Sequence, residues 1–189
     1  MDKSVYPPSE DSYLIKESIE KYLKAASVKK ALDMGCGSGI LSVALGNQGC
    51  DTLAVDINPK ALEATLAHAS LEGVDDKIKV LESDLFSNID EKFDLIVFNT
   101  PYVPTDDSET DDLESRAWDG GHDGLSVTRK FLKEAPVCLN RGGKIIILVA
   151  TNDDKEPSFE GFEQSVLGKK SYFFERLWVL LLTPLQLRR

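Results

Sequence analysis

Asp33-Met34-Gly35-Cys36-Gly37-Ser38-Gly39 closes a short apolar run and precedes another. Glycines in alternate positions let a backbone loop come close to a ligand, and open α/β sheets bind ligands at such strand ends. The spacing is GxGxG, not the GxGxxG of dinucleotide sites, and the Lys-Ser/Thr of a phosphate loop is missing. Asp33, in front of the loop, would repel a pyrophosphate and attract an amine. Asp56 ends the next apolar run, where a carboxylate can take two ribose hydroxyls, and Asp84 ends a third, where it can face an adenine. Three carboxylates at successive strand ends suit a nucleoside with a zwitterionic tail. The plainer alternative is a tight turn that binds nothing. Asn99-Thr100-Pro101-Tyr102 ends a fourth apolar run; taken alone, Asn-x-Pro-Tyr is an ordinary turn sequence.

These groups meet only if a scaffold sets the strand ends side by side. Ser9-Glu10-Asp11-Ser12 is a helix-start signal, and Leu14, Ile15, Ile19, Tyr22 and Leu23 form one helical stripe, which predicts a helix over 9–26. Further helices are predicted over 40–45, from Pro59 through 61–69, and over 126–138. Short strands are predicted at 31–34, 52–55, 78–81, 95–98 and 144–149. Their β-branched runs lack clean alternation, as in parallel strands buried on both faces. The tail 172–183 reads as two adjacent strands or a bent hairpin. The pattern predicts a doubly wound, mostly parallel α/β sheet with an antiparallel C-terminal strand.

The chain has 189 residues, enough for one domain of ordinary size. Its 22 basic and 32 acidic residues give a net charge of −10, which disfavours phosphate backbones and anionic membrane surfaces as partners. Cys36, Cys50 and Cys138 form no CxxC pair, so neither a zinc site nor a disulfide framework is indicated. A reducing, cytoplasmic compartment fits best. The N-terminus is too polar for a signal peptide, and the longest apolar run, Trp178 to Thr183, is far short of a membrane span.

The loop Asp33–Gly39, with Asp56 and Asp84, resembles the cofactor site of class I S-adenosylmethionine-dependent methyltransferases, whose fold is a Rossmann-like seven-stranded sheet. Asn99-Thr100-Pro101-Tyr102 resembles the (Asn/Asp)-Pro-Pro-(Tyr/Phe) motif of enzymes that methylate a nitrogen conjugated to a π system. Such a nitrogen is a poor nucleophile because its lone pair is delocalised. Two acceptors, the Asn99 side-chain oxygen and the backbone carbonyl of residue 100, would hold its hydrogens and turn its π face to the methyl group. Tyr102 would stack on the planar group. Catalysis would then rest on orientation and on stabilising positive charge at nitrogen, with no strong general base. Thr100 departs from the usual proline, yet it supplies the same carbonyl, and Pro101 still biases it to an extended conformation.

Val5-Tyr6-Pro7-Pro8-Ser9-Glu10-Asp11-Ser12 and Trp118-Asp119-Gly120-Gly121-His122-Asp123-Gly124-Leu125 resemble signatures of the HemK-type protein-glutamine methyltransferases, in particular the short archaeal and eukaryotic release-factor branch. The bacterial branch carries an extra N-terminal helical domain, for which the residues before the glycine loop leave no room. The resemblance implies a single methyltransferase domain over 1–189, with 1–28 as an arm and helix packing over the cofactor site. It implies S-adenosylmethionine as cofactor, S-adenosylhomocysteine as product, and no metal. The cofactor residues it implies are Tyr6, Ser12, Asp33, Gly35, Gly37, Asp56, Ile57, Asp84, Leu85 and Asn99; the catalytic ones are Asn99, Thr100, Pro101 and Tyr102. His122 is not needed as a base, His68 reads as structural, Trp118 as a packing anchor, and Cys36 as a small residue filling the loop.

Asp106, Asp107, Glu109, Asp111, Asp112 and Glu114 follow Tyr102 closely and would repel a nucleic-acid backbone. This favours a peptide glutamine, and the resemblance implies the Gly-Gly-Gln loop of a class 1 translation termination factor. Open alternatives are an RNA N-methyltransferase acting on guanine N2 or adenine N6, a protein-lysine methyltransferase, and a cofactor-binding scaffold without activity. The resemblance also implies a small zinc-binding activator protein added to the edge strand Ile78–Leu81.

Overall fold

The computed structural model describes residues 5, 7–102 and 124–185. Seven strands form one sheet: β1 (Lys30–Met34), β2 (Asp51–Asp56), β3 (Ile78–Glu82), β4 (Phe93–Asn99), β5 (Leu139–Thr151), β6 (Phe162–Ser171) and β7 (Arg176–Pro184). Their order is β3-β2-β1-β4-β5-β7-β6. The first five run parallel, and β7 pairs antiparallel with both β5 and β6. Among the described residues four α-helices accompany the sheet: α1 (Glu10–Leu23), α2 (Ile40–Asn47), α3 (Pro59–Glu72) and α4 (Ser126–Glu134). The doubly wound, mostly parallel sheet predicted from the sequence is the observed one.

The central strands are apolar on both faces, which is why their sequences do not alternate. Leu95 and Val97 of β4, Ile146 and Leu148 of β5, and Leu177 and Val179 of β7 pack with Ile15 and Ile19 of α1 and Leu41 and Leu45 of α2. Their neighbours Ile96, Phe98, Ile145, Ile147, Val149, Trp178 and Leu180 turn the other way, onto Phe131 and Leu132 of α4. Each such aliphatic side chain contributes about 1.5–3 kcal/mol on burial.

Local chemistry sets the helix limits. Asn58 caps α3 by accepting from the Lys60 N–H at 3.0 Å, and Gly73 ends it in the left-handed region at φ 68°. Helix α4 is shorter than predicted: from Ala135 the chain tightens into a 3-10 turn through Cys138, because Pro136 has no N–H to continue the α-helical ladder. Strand β5 is longer than predicted. It begins at Leu139, opposite Phe93, and Asn140 donates to the Asp94 carboxylate at 2.8 Å.

The tail corrects the sequence reading. Only one strand lies within 172–183; its hairpin partner is β6, and Tyr172 to Glu175 form the turn, with the Tyr172 N–H donating to the Glu175 carbonyl at 2.8 Å. Strand β6 is largely exposed and polar. An edge strand needs only its partner's hydrogen bonds, so the hydrophobic signal is faint there. Gly168 matters because α1 crosses β6 at this point: a Cβ would lie 2.7 Å from the Ser18 hydroxyl oxygen. No helix among the described residues is long and apolar enough to cross a membrane.

Candidate active site

Parallel strands β1, β2 and β4 place Asp33, Asp56 and Asn99 along one rim of the sheet. Between β1 and α2, Gly35, Gly37 and Gly39 all take positive φ. Gly39 has a second constraint, since a Cβ there would stand 2.8 Å from the Thr65 Cα, so α2 and α3 approach as they do only with glycine at this corner. The loop is pinned from several sides: the Cys36 N–H donates to the Val55 carbonyl at 2.9 Å, and His68 Nδ1 lies 3.0 Å from the Ser38 carbonyl. Cys36 is buried, which pushes its thiol up and keeps it un-ionised at neutral pH. His68 and Cys36 therefore serve the loop's structure, as the sequence suggests.

Asp33 is 0% exposed. Its Oδ2 accepts from the Ser42 hydroxyl at 2.5 Å, while its Oδ1 has no donor. Burial pushes its carboxyl up to about 7, with the Ser42 bonds opposing the rise and the Asp56 charge adding to it. Asp56 Oδ2 accepts from the Gly37 N–H at 3.0 Å and Oδ1 from the Asn58 N–H at 2.9 Å. Burial raises this carboxyl too, against the pull of those backbone donors. Each Asp56 oxygen keeps a lone pair for a further donor. Ile57 lies half-buried beside it.

Asp84 stands differently from the sequence reading. Strand β3 ends at Glu82, and Asp84 lies in the following turn, exposed and 3.6 Å from the Lys130 Nζ of α4. Next to it, Leu85 has φ 48°, among the described residues the one non-glycine with positive φ. A leucine in the left-handed region costs about 1–2 kcal/mol, and such strain gathers at functional sites. Tyr6 and the stretch 103–123, which includes the acidic cluster 106–114, Trp118 and His122, lie outside the described residues.

The Asn-Thr-Pro-Tyr segment is drawn together with α1. Asn99 Nδ2 donates to Asp11 Oδ2 at 2.9 Å, and the Tyr102 hydroxyl donates to the same oxygen at 3.4 Å. Asn99 Oδ1 is buried and has no donor. The opposite amide flip would set oxygen against oxygen, so the network fixes which atom stays open. Thr100 is buried, and its hydroxyl donates to the Leu148 carbonyl at 2.6 Å, a role that the sequence does not indicate. Ser12 is turned inward: its hydroxyl donates to Asp11 Oδ1 at 3.2 Å and accepts from the Ser9 N–H at 3.4 Å.

The residue that sequence reasoning missed is Asp11. It lies in the stretch 5–12 that carries the resemblance and in a helix-start segment, where an acid is ordinarily explained by the helix dipole, and neither signal singled it out.

The rim suits a nucleoside with a cationic tail: an orphaned buried carboxylate oxygen at Asp33, a loop with backbone room, and a second carboxylate with spare lone pairs. Among the described residues no group of three or more His, Cys, Asp or Glu could hold a metal ion.

The family model described as methyltransferase small domain matches residues 15–116. A Methanocaldococcus jannaschii protein described as a candidate protein N5-glutamine methyltransferase is 36% identical over 183 residues, which cover 93% of this chain and 90% of that one. Human Methyltransferase HEMK2 is 34% identical, with 80% of this chain and 75% of that one covered. The release factor glutamine methyltransferase of Deinococcus radiodurans is 33% identical over 77% of this chain but only 54% of its own length. Among solved structures, the E. cuniculi Mtq2-Trm112 complex superposes with a TM-score of 0.69 at 22% identity, covering 96% of this chain and 99% of that chain. The fold is that of the class I methyltransferases, and the chain belongs to the methyltransferase small domain family.

Proposed function

We propose that this chain transfers a methyl group from S-adenosylmethionine to the side-chain amide nitrogen of a glutamine, in the Gly-Gly-Gln loop of a class 1 translation termination factor. The observation that carries the reading is Asn99 Oδ1, a buried acceptor without a donor at a strand end beside the glycine loop. An unmet buried acceptor costs about 1–3 kcal/mol, and a planar amide N–H is a donor that would satisfy it. The names of the relatives support the same substrate class: the Deinococcus radiodurans protein is a release factor glutamine methyltransferase, and the E. cuniculi complex is titled as responsible for methylation of the eRF1 termination factor.

Bound at this rim, S-adenosylmethionine would supply an electrophilic methyl on a sulfonium, whose C–S electron pair would be left on sulfur when the amide nitrogen takes the methyl. In this reading Asp56 would take the ribose hydroxyls while it holds the Gly37 amide, and the buried Asp33, which a cationic amino-acid tail would draw into its ionised form, would lie beneath the loop that faces that tail. Leu85 and Asp84 border the adenine side, with Lys130 drawing Asp84 towards α4. Asn99 Oδ1 and the carbonyl of Thr100 take the two amide hydrogens, and the Tyr102 ring covers the planar group. This geometry turns the nitrogen's π face towards the methyl. As positive charge develops on nitrogen, the two acceptors stabilise it. The proton then leaves to water, because an N-alkylated amide cation is strongly acidic.

The small activator protein remains a proposal for the edge strand β3, first in the sheet order and covered on one face by α3, which exposes Leu66 and Leu71. A strand added there would bury these side chains with the open backbone edge.

The test is incubation of the purified chain, alone and with a Trm112-type activator, with methyl-labelled S-adenosylmethionine, a termination factor, its Gly-Gly-Gln variant with glutamine replaced by alanine, and total RNA. Label in the factor and not in its variant supports the reading. Label confined to RNA, or placed on lysine, overturns it.

A further inference from the structure

We infer that Asp11 is a positioning residue of the acceptor site, which sets through Asn99 and Tyr102 the atom that meets the substrate amide; the inference rests on the glutamine reading above. Asp11 is in the first turn of α1 and is only 4% exposed. Its two carboxylate oxygens divide their work. Oδ1 accepts from the hydroxyls of Ser9 and Ser12, within its own helical turn. Oδ2 accepts from Asn99 Nδ2 and the Tyr102 hydroxyl, 88 and 91 residues along the chain.

A helix dipole does not account for this arrangement. An acid in a first turn contributes about 0.3–1 kcal/mol while exposed, and Glu10 already stands there, exposed and paired with Lys170 at 3.2 Å. Burying a carboxylate costs several kcal/mol unless it is well partnered, and among the described residues all four hydrogen bonds to Asp11 come from neutral groups. The inward turn is explained by what it does to Asn99. With Nδ2 held by a carboxylate, the amide cannot flip, and Oδ1 is left open. Donation to a charge also polarises the amide, so that Oδ1 becomes a stronger acceptor, as hydrogen bonds in series strengthen one another. The same oxygen fixes the Tyr102 phenol, and with it the tilt of the ring. The helix before the sheet thereby completes a site built at the end of β4.

Two measurements on the full chain test this separately from the substrate assignment. The first is the side-chain amide signal of Asn99 in nitrogen–proton correlation spectra of the unliganded protein, assigned by its loss in Asn99→Ala. One of its hydrogens should exchange slowly with solvent in the native chain and lose that protection in Asp11→Ala. The second is a double-mutant cycle in single-turnover methyl transfer, with melting temperatures and cofactor affinity recorded alongside. Asp11→Ala should slow transfer about 10- to 150-fold, the rate equivalent of a hydrogen bond to a charged group, with the Kd for S-adenosylmethionine within about twofold. In the Asn99→Ala background the same change should cost less than about threefold, because most of its effect runs through Asn99 and only the longer 3.4 Å contact to Tyr102 is left to lose. Asp11→Asn, which keeps an acceptor but not the charge, should fall between the native chain and Asp11→Ala, and it serves if Asp11→Ala does not fold. An unprotected Asn99 amide in the native chain, an equal loss in both backgrounds, or a full rate in Asp11→Ala overturns the inference. If the native chain does not methylate the termination factor, the glutamine reading falls, and the Asn99 amide signal still decides whether Asp11 holds that side chain.

Discussion

Thr100 donates its hydroxyl to the backbone carbonyl of Leu148 at 2.6 Å, and so ties the end of β4 to β5 just where the acceptor motif begins. Proline, usual at this position in the related motif, has no hydroxyl and cannot make this bond. The side chain thus fastens the strand end, separately from the acceptor role proposed above for the carbonyl.

Loss of the hydroxyl should cost stability first. Thr100→Ala should lower stability by about 0.5–1.5 kcal/mol, the net worth of one hydrogen bond, and Thr100→Ser should recover most of it. Thr100→Pro keeps the carbonyl and should transfer methyl groups at near the native rate, with reduced stability. Chemical denaturation and single-turnover assays on the three variants separate these effects. Unchanged stability in Thr100→Ala would show that the bond to Leu148 adds nothing.

Asn99→Ala removes the unpartnered Oδ1, which in the proposed mechanism orients the amide and stabilises its developing charge. By comparison with the loss of one preorganised oxyanion-hole donor, the transfer rate should fall by about 10²–10³. Cofactor affinity should change little, because in the proposed geometry the open atom of Asn99 is given to the acceptor group. Asn99→Asp should do no better, since it sets a second carboxylate against Asp11. A native rate in Asn99→Ala would dismiss the two-acceptor mechanism.

Asp56→Ala should weaken S-adenosylmethionine binding by about 1.5–3 kcal/mol for each charge-assisted bond lost. It should also loosen the loop, because Gly37 loses the acceptor that it meets at 3.0 Å. Calorimetric titration reads the first effect, and hydrogen exchange at the loop amides the second. An intact affinity would take Asp56 out of the site.

Asp33 should give the unliganded protein a characteristic pH dependence. Burial lifts its carboxyl from an ordinary 3.8 to about 7. Between those values the folded chain keeps a proton that the unfolded chain has released, so this group makes stability fall as pH rises, and its effect levels off above the folded value. Asp33→Asn keeps an acceptor for Ser42 and has no charge to bury. The variant should gain on the native chain by on the order of 2 kcal/mol between pH 5 and pH 7. Denaturation curves across that range provide the check, and a constant gap between the two proteins would mean that Asp33 does not titrate there.

The sequence by itself determined the mostly parallel sheet and the strand ends that carry the candidate site, while the order of the strands came from the structure. Apolar runs bounded by glycine, proline and aspartate mark strands buried on both faces, and a glycine loop after the first strand leaves one place for a ligand. It also marked Asp33, Asp56 and Asn99, because each lies at the end of a strand, or one residue before it, where the strand's position follows from the pattern. It was weakest where hydrophobicity carries no signal: β6 is an edge strand with polar faces, and Tyr172 to Glu175 look like strand but form a turn. Only the tertiary structure decided the partners of the site residues. Asp11 and Asn99 are far apart in the chain, and no local propensity tells that α1 crosses the sheet so as to bring one to the other. The hydroxyl of Thr100 found its acceptor on β5, across a strand pairing set by the whole sheet. Side-chain types limit what chemistry a rim can hold, but the direction in which an amide or a hydroxyl points depends on neighbours that the fold supplies from distant parts of the chain.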